Sequence, residues 1–311
     1  MKIVFMGTPD GAAFLLGELA GSGNDVIAAV TRPDKPKGRG LKVRMSPVAE
    51  KAEQKNVRIL KPTNVSDSGF LDEIRMLSPD IIIVAAFGRI LPKTLLDIPK
   101  YGCINVHLSL LPHYRGASPV QSALLNADKE TGITVMRMNE HLDEGDVLAQ
   151  ETTRITENET AGELTERLFE IGTKLLLKTL PEIGTGAIKP VPQDGSKAVY
   201  CKTVKKADGL VDFNSRAEEI FNKVRAFTPW PGAYSSCKGK TVKITSAEIF
   251  TEECVSPVSG TALKVLKGRG LVVAAGDGCI LLKEVQPENS KKISAEEFVN
   301  GYRIKIGEKI F

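Results

Sequence analysis

The chain reads as an α/β protein with two parts: an open, mostly parallel twisted sheet with helices on both faces, then a small antiparallel β module. Three observations carry that reading. Apolar strand-like runs alternate with helical stretches through the first half, which implies βαβ units. The run Asp80–Ala86, Asp-Ile-Ile-Ile-Val-Ala-Ala, is almost wholly apolar, as central parallel strands buried on both faces are. Beyond residue 204 the pattern changes to short β-like segments set off by glycines.

Lys2–Met6 is apolar and ends at Gly7-Thr8-Pro9-Asp10, where Thr8 or Asp10 is placed to cap a helix over Ala12–Ala20. Asp25–Thr31 follows as a strand. Ser46 then opens a helix to Lys55 with Pro47 in its first position. Val57–Leu60 is a short strand, Leu71–Leu77 belongs to a helix, and Asp80–Ala86 and Tyr101–Val106 are strands. Residues 118–127 read as a helix, Ile133–Met138 and Val147–Gln150 as strands. Thr160–Thr179 is an amphipathic helix with Leu164, Leu168, Ile171 and Leu175 in step. Residues 185–204, rich in Gly, Pro, Lys and Gln, are expected as an extended linker between a domain at 1–184 and a second at 205–311. In the second lie a helix over Ser215–Phe227, the break Thr228-Pro229-Trp230-Pro231-Gly232, and strands near Thr241–Ile249, Gly260–Leu266, Gly270–Ala275 and Gly278–Val285. Such elements suit a Rossmann-like domain followed by an OB-like barrel.

A length of 311 residues favours two domains over one core. No apolar run reaches membrane-spanning length and the first residues lack a signal-peptide layout, so no membrane association is expected. The five cysteines are scattered, without C-x-x-C. They predict a reducing, cytoplasmic setting, no disulfide framework and no zinc site. Of 42 Lys/Arg and 38 Asp/Glu, 17 and 13 lie from Lys205 onward, so the net +4 sits in the last third. A basic second module suits a polyanion such as RNA. The G-x-G-x-x-G of a dinucleotide site is absent.

Residues 103–119, Cys-Ile-Asn-Val-His-Leu-Ser-Leu-Leu-Pro-His-Tyr-Arg-Gly-Ala-Ser-Pro, are the most informative segment. Side chains alternate along a strand, so Asn105 and His107 share one face, at a strand end where open sheets bind ligands. An amide donor and an imidazole there can hold and protonate a developing oxyanion. The loop Arg32–Arg44 carries Arg32, Lys35, Lys37, Arg39, Lys42 and Arg44 against one acid, Asp34. Its glycines and prolines forbid a regular helix, and basic adaptable loops contact phosphates and bases. His113 and His141 read as surface or loop histidines, and Cys103 as a small buried residue rather than a nucleophile.

Asn105-x-His107-x-Ser109-Leu110-Leu111-Pro112, with Asp143 thirty-six residues after the histidine, resembles the folate-dependent formyltransferases. Met6-Gly7-Thr8-Pro9-Asp10, the Arg32–Gly40 stretch, Ser46-Pro47-Val48, Arg115-Gly116 and Phe227-Thr228-Pro229-Trp230-Pro231 extend the resemblance over the whole chain. They narrow it to the members that act on initiator methionyl-tRNA. The sequence departs from that pattern at Gly11, where an aromatic is usual, at Phe87 and Ser118, and at His141-Leu-Asp143-Glu-Gly-Asp146.

The resemblance implies formyl transfer from 10-formyltetrahydrofolate to the α-amine of methionine on initiator tRNA, with no metal. Asn105 and His107 would stabilise the tetrahedral oxyanion. Asp143 would orient and charge His107 and assist proton transfer. Ser109–Pro112, Phe87 and Gly88 would line the folate pocket. Lys35, Lys37, Arg39, Lys42 and Arg44 would meet the tRNA acceptor end, Arg39 foremost. A monomer without an obligate protein partner is expected. The alternatives are a formyltransferase for a sugar-nucleotide amine, a module transferring formyl to water, and a catalytically silent RNA-binding protein.

Overall fold

The apolar run after Lys2 forms a strand sealed from water. In the computed structural model β1 (Lys2–Gly7) is buried from Ile3 onward. The structure describes residues 1–37, 42–252, 254 and 258–311. After β1 come α1 (Asp10–Gly21), β2 (Asp25–Val30), a hairpin of β3 (Lys35–Lys37) and β4 (Lys42–Arg44), and α2 (Pro47–Gln54). Next are β5 (Arg58–Leu60), α3 (Ser68–Leu77), β6 (Ile81–Ala85), α4 (Lys93–Leu96), β7 (Cys103–His107), β8 (Arg115–Gly116) and α5 (Pro119–Leu125). The run closes with β9 (Glu130–Arg137), β10 (Val147–Arg154), α6 (Ala161–Thr185) and β11 (Tyr200–Cys201), which pairs with β8.

The seven-stranded sheet has the order β10-β9-β7-β6-β1-β2-β5. Pairing is parallel from β5 through β7 and antiparallel from β7 to β9 and β9 to β10. α3 and α4 bury Phe70, Ile74 and Leu95 on the face of Val4, Met6, Ile82 and Val84. On the opposite face α6 comes close through Gly172, where a Cβ would stand 2.9 Å from Val106 Cγ1. This is the expected sheet with helices on both sides.

Local chemistry explains most element ends. Ser46 caps α2, its hydroxyl accepting from Ala49 N at 3.1 Å, with Pro47 opening the helix. α1 begins without a side-chain cap, at Pro9 rather than Thr8 or Asp10. Gly11 stands where the resemblance leads one to expect an aromatic. The Phe169 ring of α6 occupies that space, its Cδ2 only 2.0 Å from where a Cβ would lie.

By its contacts the chain divides into two units: Met1–Pro119, Glu130–Arg154 and Thr165–Lys202, and then Val120–Lys129, Ile155–Leu164 and Thr203–Phe311. The second contains α7 (Ala217–Ala226), β12 (Ala233–Cys237), β13 (Lys240–Phe250), β14 (Ala262–Leu266), β15 (Gly270–Ala274), β16 (Cys279–Pro287), β17 (Ile293–Ser294) and α8 (Ala295–Tyr302). Its sheet is antiparallel throughout, with β17 added to β16. The core is made of Ile220, Phe221 and Val224 of α7, Phe298 of α8, and strand residues such as Ile244, Val273 and Leu282.

One expectation is overturned. The cysteine spacing predicts no disulfide, yet Cys254 is joined to Cys279, with Cα atoms 6.4 Å apart. Sheet register brings them together: Phe250 of β13 lies opposite Cys279 of β16, so the chain leaving β13 passes that cysteine. Local spacing holds no trace of such a pairing.

Candidate active site

β7 lies between β6, to which it is parallel, and β9, to which it is antiparallel. Its last residues meet the turn between β9 and β10. Asn105 and His107 point from one face of β7 and are 9% and 6% exposed. Asp143 approaches both. Asn105 Nδ2 lies 3.5 Å from Asp143 Oδ1, and His107 Nδ1 lies 3.8 Å from Asp143 Oδ2. The structure thus gathers all three residues singled out in the sequence.

Backbone groups orient His107 and Asp143. His107 Nε2 stands 2.9 Å from the Tyr114 carbonyl. A carbonyl only accepts, so Nε2 carries the hydrogen and Nδ1 is the nitrogen turned toward Asp143. Asp143 Oδ2 accepts from Gly116 N at 2.9 Å. Gly116 has φ 120°, and a Cβ there would fall 2.3 Å from the Cys201 carbonyl, so only glycine fits. Asp143 itself holds φ 51°, a left-handed conformation that aspartate tolerates better than most residues.

Ser109–Pro112 turns away from the end of β7 and is tied down from within. Thr134 Oγ1 donates to the Ser109 carbonyl at 2.7 Å and accepts from Leu111 N at 3.0 Å. Gln150 Nε2 donates to the Leu111 carbonyl at 2.8 Å. Ser109 Oγ donates to the His113 carbonyl at 2.6 Å. The turn is therefore rigid before any ligand arrives. Phe87 is buried under the adjoining strand end, with the Arg89 guanidinium 5.9 Å above its ring. Gly88, at φ 69°, offers its carbonyl to Arg32 Nη2 at 2.9 Å.

A polar network that sequence reasoning missed lies beside Asp143. Arg115 is 4% exposed and donates through Nε and Nη2 to Gln193 Oε1 at 3.1 and 2.9 Å. Its Nη1 reaches Glu144 Oε1 and the Tyr200 hydroxyl, both at 3.1 Å. The Tyr200 hydroxyl donates to Glu144 Oε1 at 2.6 Å and, with Arg115, holds that carboxyl below the usual carboxylate range. Arg115 was visible only as part of a motif. Gln193 and Tyr200 lie in the stretch read as linker, which gave no local signal for them.

Burial pushes the Cys103 thiol up to about 12, so it is no nucleophile at neutral pH. His113 and His141 are exposed, and no cluster of metal-ligating side chains occurs among the described residues. In the basic loop, Lys35, Lys37 and Lys42 lie on the β3–β4 hairpin and Arg44 is exposed at its end. Arg39 lies outside the described residues.

A formyl transferase family model matches residues 1–180, and a formyl transferase C-terminal domain model matches residues 203–303. The chain belongs to the formyltransferase family. A methionyl-tRNA formyltransferase of a Sulfurihydrogenibium species is 43% identical over 99% of this chain and 99% of its own length. The methionyl-tRNA formyltransferase of Geobacter metallireducens is 43% identical over 100% and 98%. Among solved structures, HypX from Aquifex aeolicus in complex with tetrahydrofolic acid shares the fold with a TM-score of 0.66 and 18% identity. That match covers 98% of this chain and 48% of HypX. WlaRD, a sugar 3N-formyl transferase solved in the presence of dTDP and 5-N-formyl-THF, matches with a TM-score of 0.67 and 20% identity over 94% and 99%. The enzyme is a formyltransferase whose full length aligns with relatives named for methionyl-tRNA.

Proposed function

We propose that this formyltransferase carries the formyl group of 10-formyltetrahydrofolate to the α-amine of methionine esterified to initiator tRNA, yielding formylmethionyl-tRNA for translation initiation. The observation that carries the reading is the meeting of Asn105, His107 and Asp143 at the end of β7. The full-length likeness to methionyl-tRNA formyltransferases supports the acceptor.

In the proposed reaction the amine nitrogen attacks the formyl carbon and forms the new C–N bond. The carbonyl oxygen takes the charge of the tetrahedral intermediate. Asn105 Nδ2 and a protonated His107 Nδ1 donate to that oxygen, and loss of one such donor typically costs ~3 kcal/mol of barrier. Asp143 accepts the proton shed by the amine, directly or through water. The C–N10 bond then breaks and N10 takes up a proton, so charge and atoms balance without a covalent enzyme intermediate. A positioned acid/base group of this kind supplies roughly 10²- to 10⁴-fold.

Folate is assigned to the rigid Ser109-Leu110-Leu111-Pro112 turn with Phe87 and Gly88. The tRNA acceptor end is assigned to Lys35, Lys37, Arg39, Lys42 and Arg44, and tRNA binding also to the basic residues 205–311. The protein acts as a monomer in the cytoplasm; no helix among its described residues is long and apolar enough to cross a membrane.

Purified protein is incubated with 10-formyltetrahydrofolate and charged initiator or elongator methionyl-tRNA, and formylmethionine is measured. Transfer to the initiator species is expected. No transfer to either, with a dTDP-amino sugar formylated instead, would overturn the acceptor and keep the site chemistry.

A further inference from the structure

The Asp143 turn is held from both sides by one pair of residues remote in sequence. Gln193 Nε2 donates to the carbonyls of Asp143 at 2.9 Å and Gly145 at 2.7 Å. Its Oε1 accepts both Nε and Nη2 of Arg115. Every hydrogen-bonding position of a carboxamide is thereby used. Arg115 in turn precedes Gly116, whose N–H binds the Asp143 carboxylate. The backbone of Asp143 and its side chain are thus fixed by a single Arg115–Gln193 unit.

The segment bearing Gln193 is itself tied to the same unit. Val191 and Val147 exchange N–H···O bonds of 2.8 Å, and β11 pairs with β8. Asp143 sits in a left-handed conformation, and these hydrogen bonds help to hold it there.

We propose that Gln193 is a positioning residue for formyl transfer: its carboxamide N–H groups hold the Asp143 carboxylate in register with Asn105 and His107. The inference rests on the reading of Asp143 as part of the reaction centre. Donors matter in this account, whereas a residue serving only to satisfy buried Arg115 would need its acceptor alone.

Gln193→Glu separates the two roles. It keeps an oxygen for Arg115 and replaces the donor with an oxygen facing two carbonyls. Single-turnover formylation is measured for wild type, Gln193→Glu, Asp143→Ala and the double variant, with KM for methionyl-tRNA and thermal melting recorded for each. Gln193→Glu is expected to lower kcat by about 10- to 100-fold with KM nearly unchanged, and to lower the melting temperature, since the new oxygen meets two carbonyls. It should add nothing in the Asp143→Ala background, because coupled residues are non-additive.

A Gln193→Glu rate within threefold of wild type overturns the inference, as does an equal loss with or without Asp143. Wild-type activity of Asp143→Ala would sink the underlying reading instead, whatever Gln193 does. Should Gln193→Glu fail to fold, Gln193→Ala, which removes the donors without adding charge, is read by the same cycle.

Discussion

Gly145→Ala tests how tightly the turn beside the reaction centre is built. A Cβ at residue 145 would lie 1.7 Å from the Arg137 carbonyl oxygen, with Met136 Cε at 3.2 Å behind it. The Arg137 carbonyl is backbone and offers no rotamer to relieve the clash, so the methyl must retreat by ~1.5 Å or more to reach van der Waals distance. Asp143 lies two residues away and would move with it, and its separations from Asn105 and His107, 3.5 and 3.8 Å, leave no such latitude. Overpacking of this kind costs ~1–3 kcal/mol of stability. A displacement near 1 Å at a reacting group costs about 10²-fold in rate. The expected outcome is a folded enzyme with a lowered melting temperature and kcat down by roughly two orders of magnitude. Single-turnover formylation with saturating 10-formyltetrahydrofolate, beside a melting curve, measures both. Gly195→Ala, which meets nothing within 4 Å, is the silent control. A Gly145→Ala enzyme with wild-type melting and a rate within threefold of wild type would refute the argument that this backbone position fixes Asp143.

Further expectations concern other links of the same chain of reasoning. Asn105→Ala should lose about 100-fold in kcat, and His107→Ala at least as much, while folate affinity measured by fluorescence quenching stays within a few-fold. Gly11→Leu places side-chain atoms inside the Phe169 ring and should destabilise by ~1–3 kcal/mol in urea melts, whereas Gly11→Leu/Phe169→Ala recovers part of that loss. The Cys103 thiol, raised from 9.0 to about 12 by burial, keeps its proton in the folded chain while the unfolded chain ionises. Its stability contribution is therefore intact below pH 9.0 and falls by ~1.4 kcal/mol per unit as pH rises toward about 12. Wild type should lose stability over that window more steeply than Cys103→Ala. Parallel slopes for the two would contradict the burial argument.

The sheet was legible because parallel strands buried on both faces write themselves as apolar runs, and β6 and β7 were found on that signal. Asn105 and His107 were legible for a related reason: a spacing of two places them on one face. Asp143 was not, since a lone aspartate in a Gly-containing turn reads as a turn former, and only the family resemblance linked it to the strand end. The Arg115–Gln193 unit was invisible because its partners are joined by tertiary pairing alone. α6 runs past Pro181 to Thr185, beyond the end that its amphipathic pattern predicts. α8 was missed although its capping box, Ser294 with Glu297, stands in the sequence before an apolar pair. The disulfide was misjudged because strand register, not spacing, brings Cys254 to Cys279.

The second unit draws on three stretches of chain, and one buried cation shows what that entails. Arg225 of α7 is 8% exposed and donates through Nη1 to the carbonyls of Thr156 and Glu157, at 3.3 and 3.0 Å. Thr228 likewise offers its carbonyl to Gly162 N at 3.0 Å. These partners belong to residues 155–164, which precede the body of the unit by some forty positions. A fragment cut at residue 205 would leave the guanidinium without those carbonyls, and an unsatisfied buried charge destabilises strongly. Transplanting this module, or shuffling it onto another enzyme, requires carrying the early strap along.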